Sequence, residues 1–212
     1  MVEIIDTVWF KIPDMFPDWE RRVITPSMIR EAKYGPMKLD ERSKELARAG
    51  QEYHRRLFSL VLGGGLIDID GRNVKKEVTV KRAVSFPWEV KARLDVVVEN
   101  GDGRVVVEGK MRRGEEKIDA VQAVCIAIAG ATIRELFFCY GHEHRLVHVN
   151  VEGLRELQPI LLSVAGAALA FLGRGGQRMS KSQLKEELLG NFNPVYDRLV
   201  GEGMKFFGVN GK

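Results

Sequence analysis

The sequence predicts an α/β protein: a mixed central β-sheet flanked by helices, with a helical extension at its C-terminal end. Three observations carry this expectation. Valine-rich runs at 90–98 and 104–108 flank Gly101-Asp102-Gly103 and read as a β-hairpin. Apolar residues recur at helical spacing over 39–62 and 115–131, before and after that hairpin. A second strand pair, 135–140 and 146–151, follows across Gly141-His142-Glu143-His144.

The chain of 212 residues suits one medium domain with a substantial core. Its 45% hydrophobic and 29% charged content is that of a globular protein, not a disordered one. A net charge of +4 is compatible with a nucleic-acid partner without demanding one. Cys125 and Cys139 belong to no CxxC pair and are expected as buried thiols. The longest apolar run, 159–172, is too short to span a bilayer and reads as a buried helix, so no membrane partner is expected. No signal-peptide pattern opens the sequence, and a cytoplasmic location is expected. Oligomeric state stays open.

Residues 1–22 read as an arm whose Trp9, Phe10, Phe16 and Trp19 dock on the core or offer a stacking platform for bases. The core is expected over 23–172. Thr25 is a plausible N-cap with Pro26 in the first helical position, and Tyr34-Gly35-Pro36 ends that helix. In the 39–62 helix, Leu46, Ala49, Gly50, Tyr53, Leu57, Leu60 and Val61 form the apolar stripe, stopped by Gly63-Gly64-Gly65. Gly50 is expected to mark a close approach by another element. Strands are expected at 66–70 and 77–84. In the 115–131 helix, Val121, Val124, Cys125, Ile128 and Ala129 supply an apolar face. His142, His144 and His148 read as surface histidines. One helix is expected over 154–172. The C-terminal extension, 173–212, comprises a basic connection, a helix at 180–189 and a tail whose Tyr196, Leu199 and Phe206 pack back.

The chemistry concentrates in the hairpin. Asp95 sits inside a valine run, where a carboxylate is costly without a partner. Glu108-Gly109-Lys110 closes the second run. Across a hairpin, Asp95 and Glu108 can hold one hard divalent cation. Lys110, two residues past Glu108, projects from the same strand face and can orient a water or offset charge on a phosphate. An acid and a Glu-x-Lys across a hairpin outline a metal-dependent phosphodiesterase. His54, four residues after Gly50, reads either as a half-buried histidine or as a metal ligand supplied by the helix. Gln122 can hydrogen-bond a carboxylate, a water or a phosphate. Arg112 and Arg113 can contact phosphates or end a strand in solvent.

Taken in order, Gly50-x-x-x-His54, Asp95, Glu108-x-Lys110 and Gln122 resemble the RecB-like branch of the PD-(D/E)XK nucleases, which share a restriction-endonuclease-like fold. Ile24-Thr25-Pro26-Ser27, followed by Tyr34-Gly35-Pro36, is similar to the start of the CRISPR-associated RecB-type exonucleases, which carry Thr-Pro-Ser/Thr, a helix and Tyr-Cys-Pro. The resemblance covers roughly residues 23–150. It implies that His54, Asp95, Glu108 and the Gly109 carbonyl hold Mg²⁺ or Mn²⁺. It implies that Lys110 positions or activates the water, that Gln122 completes the site, and that products carry a 5′-phosphate. The implied partner is DNA, single-stranded at its ends, with CRISPR adaptation proteins as further partners. Virus- or plasmid-type replication or repair is the alternative context, and an inactive DNA-binding subunit the alternative role. Two departures are visible. Gly35 replaces the family's first cluster cysteine and no cysteine follows Cys139, so no iron–sulfur cluster is expected. Ile126 stands where the family has an aromatic residue.

Overall fold

A computed structural model describes residues 7–8, 22–34, 40–67, 73–101, 103–111, 116–141, 144–172, 179–180, 182, 186 and 188–208. The order is β1 (Thr7–Val8), β2 (Val23–Ile24), α1 (Pro26–Tyr34), α2 (Glu41–Leu62), β3 (Val74–Ser85), β4 (Trp88–Asn100), β5 (Gly103–Lys110), α3 (Glu116–Ala129), β6 (Ile133–Tyr140) and β7 (Arg145–Val149). Then come α4 (Val151–Arg155), α5 (Gln158–Leu172), β8 (Met179–Ser180), a π-helical turn at Leu188–Phe192 and α6 (Asn193–Met204). The protein is thus mixed α/β, as the sequence predicts. Among the described residues, no helix is long and apolar enough to cross a membrane.

The central sheet has six strands. β3, β4 and β5 form an antiparallel meander; β6 joins β5 in parallel, and β7 returns antiparallel to β6. β2 lies parallel to the start of β4, pairing Val23 with Glu89 and Ile24 with Val90. β5 pairs with the other end of β4, from Val96 to Asn100. Between those two contacts β4 and β5 part, and the parting falls at Asp95.

Both sheet faces are covered, so the strands read as nearly continuous valine. On one side Val106, Leu94 and Phe138 pack against α1, α3 and α5. On the other, Val96, Val98, Val105 and Val107 pack against Leu57 and Val61 of α2. The alternation along β4 slips once. Val90, Ala92 and Leu94 face the α3 side, yet Val96 and Val98 face α2. The slip lies at Asp95; the ladder pairs on either side skip Asp95 and Glu77, and Glu77 has a φ of 54°. Two consecutive residues, Asp95 and Val96, thus face one side, although the register is the same before and after them.

Local chemistry explains the helices that matter. Thr25 caps α1 as expected: Met28 N donates to Thr25 Oγ1 at 3.1 Å. Asp40 caps α2, accepting from Ser43 N at 2.7 Å. Tyr53, Leu57 and Val61 bury one face of α2, while Leu46 is 53% exposed.

Several expectations change. Helix α3 is buried from Ala120 to Ala129 except at Gln122, rather than on one face. The reason is α6, whose Gly203 lets that helix approach Ala120 and Val124. The single helix expected over 154–172 is two, because Pro159 lacks the N–H that would continue the first through the second. Asn150 ends β7 and caps α4, accepting from Glu152 N and Gly153 N. Leu66 and Ile67 form a bend rather than a strand, and 68–70 lie outside the described residues. Of the helix expected at 180–189, Ser182 and Glu186 are helical. Tyr196 and Leu199 do pack back, on α6, and Phe206 packs against the main core. Gly50 marks no close approach among the described residues: nothing lies within 4 Å of a Cβ built there.

Candidate functional site

The parting of β4 and β5 leaves two main-chain amides without ladder partners, and two carboxylates take them. Asp95 N donates to Glu108 Oε1 at 3.0 Å. Gly109 N donates to Asp95 Oδ2 at 2.8 Å. The ladder pairs Val96 with Val107, so Asp95 and Glu108 stand next in register. Each side chain replaces the backbone acceptor the other strand would have supplied.

The residues divide between the sheet faces. Glu108 and Lys110 point toward α3, where Gln122 meets both. Gln122 Nε2 donates to Glu108 Oε2 at 2.6 Å, and Lys110 Nζ donates to Gln122 Oε1. Lys110 also lies 3.5 Å from Asp119 Oδ1 and 5.4 Å from the centre of the Phe138 ring. Tyr140 OH donates to Asp119 Oδ2 at 3.0 Å. The Lys110 ammonium is thus enclosed by acceptors and an aromatic face.

Gly109 points the other way, beneath α2. A Cβ there would stand 2.9 Å from Leu57 Cδ2 and 3.1 Å from His54 Cδ2. This is the position where the close approach is made, and only glycine accommodates it. It brings His54 Nε2 to 3.3 Å from Gly109 O and 3.5 Å from Asp95 Oδ2. Tyr53, the residue before, pins α2 to the end of β6. Its hydroxyl donates to the carbonyls of Cys139 and Gly141, each at 3.0 Å.

Glu108 has no solvent exposure. Burial, reinforced by the neighbouring Asp95 charge, pushes its carboxyl well above the usual carboxylate range, with Lys110 pulling the other way. Burial likewise raises the Tyr53 hydroxyl, so it serves as a donor.

The donor set fits a hard divalent cation in part. An octahedral cation with bonds of about 2.1 Å sets neighbouring ligands about 3 Å apart. His54 Nε2 lies 3.3 Å from Gly109 O and 3.5 Å from Asp95 Oδ2, near that spacing, and the two oxygens are of the kind Mg²⁺ or Mn²⁺ takes. Asp95 Oδ2 already accepts from Gly109 N, and both Glu108 oxygens already accept protein N–H groups. Among the described residues, no three His, Cys, Asp or Glu side chains form a metal-holding group by themselves. The convergence therefore depends on the main-chain carbonyl.

Of the residues singled out from sequence, His54, Asp95, Glu108, Gly109, Lys110 and Gln122 are brought into one connected network. Arg112 and Arg113 lie outside the described residues, as do Gly35, His142 and the arm's aromatics. His144 stacks on Tyr53 at 6.0 Å, and His148 packs on Phe137. Both are partly buried in these ring contacts, where the sequence predicts surface histidines. Cys125 and Cys139 are buried and free, and burial pushes the Cys125 thiol up to about 12. Sequence reasoning missed Asp119, Tyr140 and Tyr53. Asp119 carried a signal, being an acid at the start of an apolar helix and three residues before Gln122. Tyr53 was legible only as part of an apolar stripe.

Beside the network, α1, α2 and α3 enclose a cavity of about 380 Å³, bordered by Ser27, Arg30, Leu46, Gly50, Lys110 and Gln122.

No family model matches this chain, and no curated protein does. Among solved structures, it is similar to the crystal structure of SSO0001, at 16% identity and a TM-score of 0.44, over 66% of this chain and 75% of that one. A likeness of that size carries no argument about function.

Proposed function

We propose that this chain is a metal-dependent deoxyribonuclease that hydrolyses phosphodiester bonds, acting as an exonuclease on single-stranded ends. The observation that carries the reading is that His54 Nε2 lies 3.3 Å from Gly109 O and 3.5 Å from Asp95 Oδ2, on one side of the strand whose Glu108 is tied through Gln122 to Lys110 on the other. The two carboxylates satisfy the amides freed where the strands part, but that need does not extend to His54 or Lys110.

A bound Mg²⁺ or Mn²⁺ would polarise the scissile phosphate and lower the pKa of a water. Asp95, His54 and the Gly109 carbonyl would hold it, with Glu108 joining by exchanging a protein donor. Lys110 offers a fixed positive charge to phosphate oxygens as negative charge grows on them. Gln122 and Asp119 fix where that charge sits. Tyr53 holds α2, and with it His54, against β5. No iron–sulfur cluster takes part in this scheme. The family resemblance supports a setting in CRISPR spacer acquisition, with adaptation proteins as partners; viral, plasmid or repair settings use the same chemistry.

The test is degradation of end-labelled DNA, single- and double-stranded, by wild-type protein in Mg²⁺, Mn²⁺ or EDTA. Cleavage with metal, suppressed by EDTA and by Lys110→Ala, is expected. No cleavage of any DNA by folded wild type would move the assignment to a DNA-binding or scaffold role.

A further inference from the structure

Among the described residues, Gly50, like Gly166 of α5 and Gly201 of α6, has nothing within 4 Å of an added Cβ; what sets it apart is the cavity that it borders. Gly50 lies in the middle of α2, where glycine is among the least favourable residues. It has no positive φ. The contrast with Gly109, wedged under three side chains of α2, is direct. What Gly50 borders instead is the cavity of about 380 Å³ beside Lys110 and Gln122. Leu46, one turn earlier on the same helix, borders it too and is 53% exposed, an apolar surface left at the cavity rim. Across from it stand the exposed Ser27 and Arg30 of α1.

We infer that Gly50 keeps clear a cleft for one unpaired nucleotide of a DNA strand, next to the phosphate presented to Lys110. The cavity lies at the lower end of small-ligand pockets, which run from about 300 Å³ upward. A single nucleotide is a ligand of that size class. Arg30 and Ser27 supply a cation and a hydroxyl for its phosphate, and Leu46 an apolar wall for its sugar or base. A side chain at position 50 would project into the same space. The identity of the ligand rests on the nuclease reading; the clearance does not.

The test separates a glycine kept for a ligand from one kept for the fold. Wild type, Gly50→Ala, Gly50→Leu and Arg30→Ala would be compared by thermal melting and by anisotropy with a labelled single-stranded oligonucleotide in Ca²⁺. Gly50→Ala and Gly50→Leu are expected to melt at or above wild type, because any side chain improves the helix. Gly50→Leu is expected to weaken DNA binding at least about tenfold, by filling the space that must accept one group. Arg30→Ala should weaken binding and lower the salt dependence by about one ion. DNA binding by Gly50→Leu equal to wild type would overturn the inference. So would melting well below wild type, which would make the glycine a packing residue of this chain. Wild type that binds DNA without cleaving it in Mn²⁺ would remove the nuclease reading, while loss of binding in Gly50→Leu would still uphold the cleft.

Discussion

Gly109→Ala is expected to damage the site through packing alone. The added methyl would lie 2.9 Å from Leu57 Cδ2, 3.1 Å from His54 Cδ2 and 3.2 Å from Tyr53 Cε1. Relaxed carbon contacts sit at about 3.5–4.0 Å, so α2 must retreat by about 0.6–1 Å. Leu57 is fully buried and Tyr53 is held by two carbonyls, so side-chain rotation gives little relief. Overpacking of this kind costs about 1–3 kcal/mol. For a chain of this size each kcal/mol lowers Tm by about 2–4 °C, so a drop of about 2–12 °C is expected. The retreat carries His54 away from Asp95 and the Gly109 carbonyl. A misplacement near 1 Å costs about 100-fold in rate. Thermal melting and a single-turnover digest of labelled single-stranded DNA read the two effects. A Gly109→Ala protein with wild-type Tm and wild-type rate would refute the reasoning, since α2 would then not rest on that glycine.

Two further outcomes follow from the network around Lys110 and Glu108. The Glu108 carboxyl is held well above its usual range by burial and by Asp95. A raised carboxyl stabilises the fold fully below its unfolded value, and that contribution is lost as pH rises through the folded value. In EDTA, wild type should therefore gain stability relative to Glu108→Gln as pH falls through the raised folded value toward the ordinary carboxylate range, read by melting; an unchanged difference would contradict the sign. Asp119→Ala removes the acid that holds Lys110 and accepts from Tyr140. It should lower kcat about 10–100-fold, with KM for the oligonucleotide little changed, as for other groups that orient a reacting side chain. An effect confined to KM would place Asp119 in substrate binding instead.

Most of the sheet was legible because valine runs and turn residues mark strands without help from distant residues. Asp95, Glu108 and Lys110 were legible because an acid inside a buried valine run demands a partner. The slip at Asp95 was not, since it falls opposite Glu77 of the neighbouring strand, whose positive φ no local pattern announces. The two glycines were read the wrong way round. Gly50 drew notice as an interruption of a helix, whereas Gly109 drew notice only for its carbonyl. Which of them carries a close approach depends on where α2 crosses β5, a tertiary fact that no local pattern encodes. The burial of α3 beyond one face depends likewise on α6, placed far along the chain.

The most direct measurement is a single-turnover digest of 5′-labelled single-stranded DNA in Mn²⁺ by wild type and Asp95→Ala, both shown to be folded by melting. Degradation by wild type to 5′-phosphorylated products, slowed at least about 100-fold in Asp95→Ala, is the expected result. Equal degradation by the two proteins would contradict it, and would place any nuclease activity outside the parting of β4 and β5.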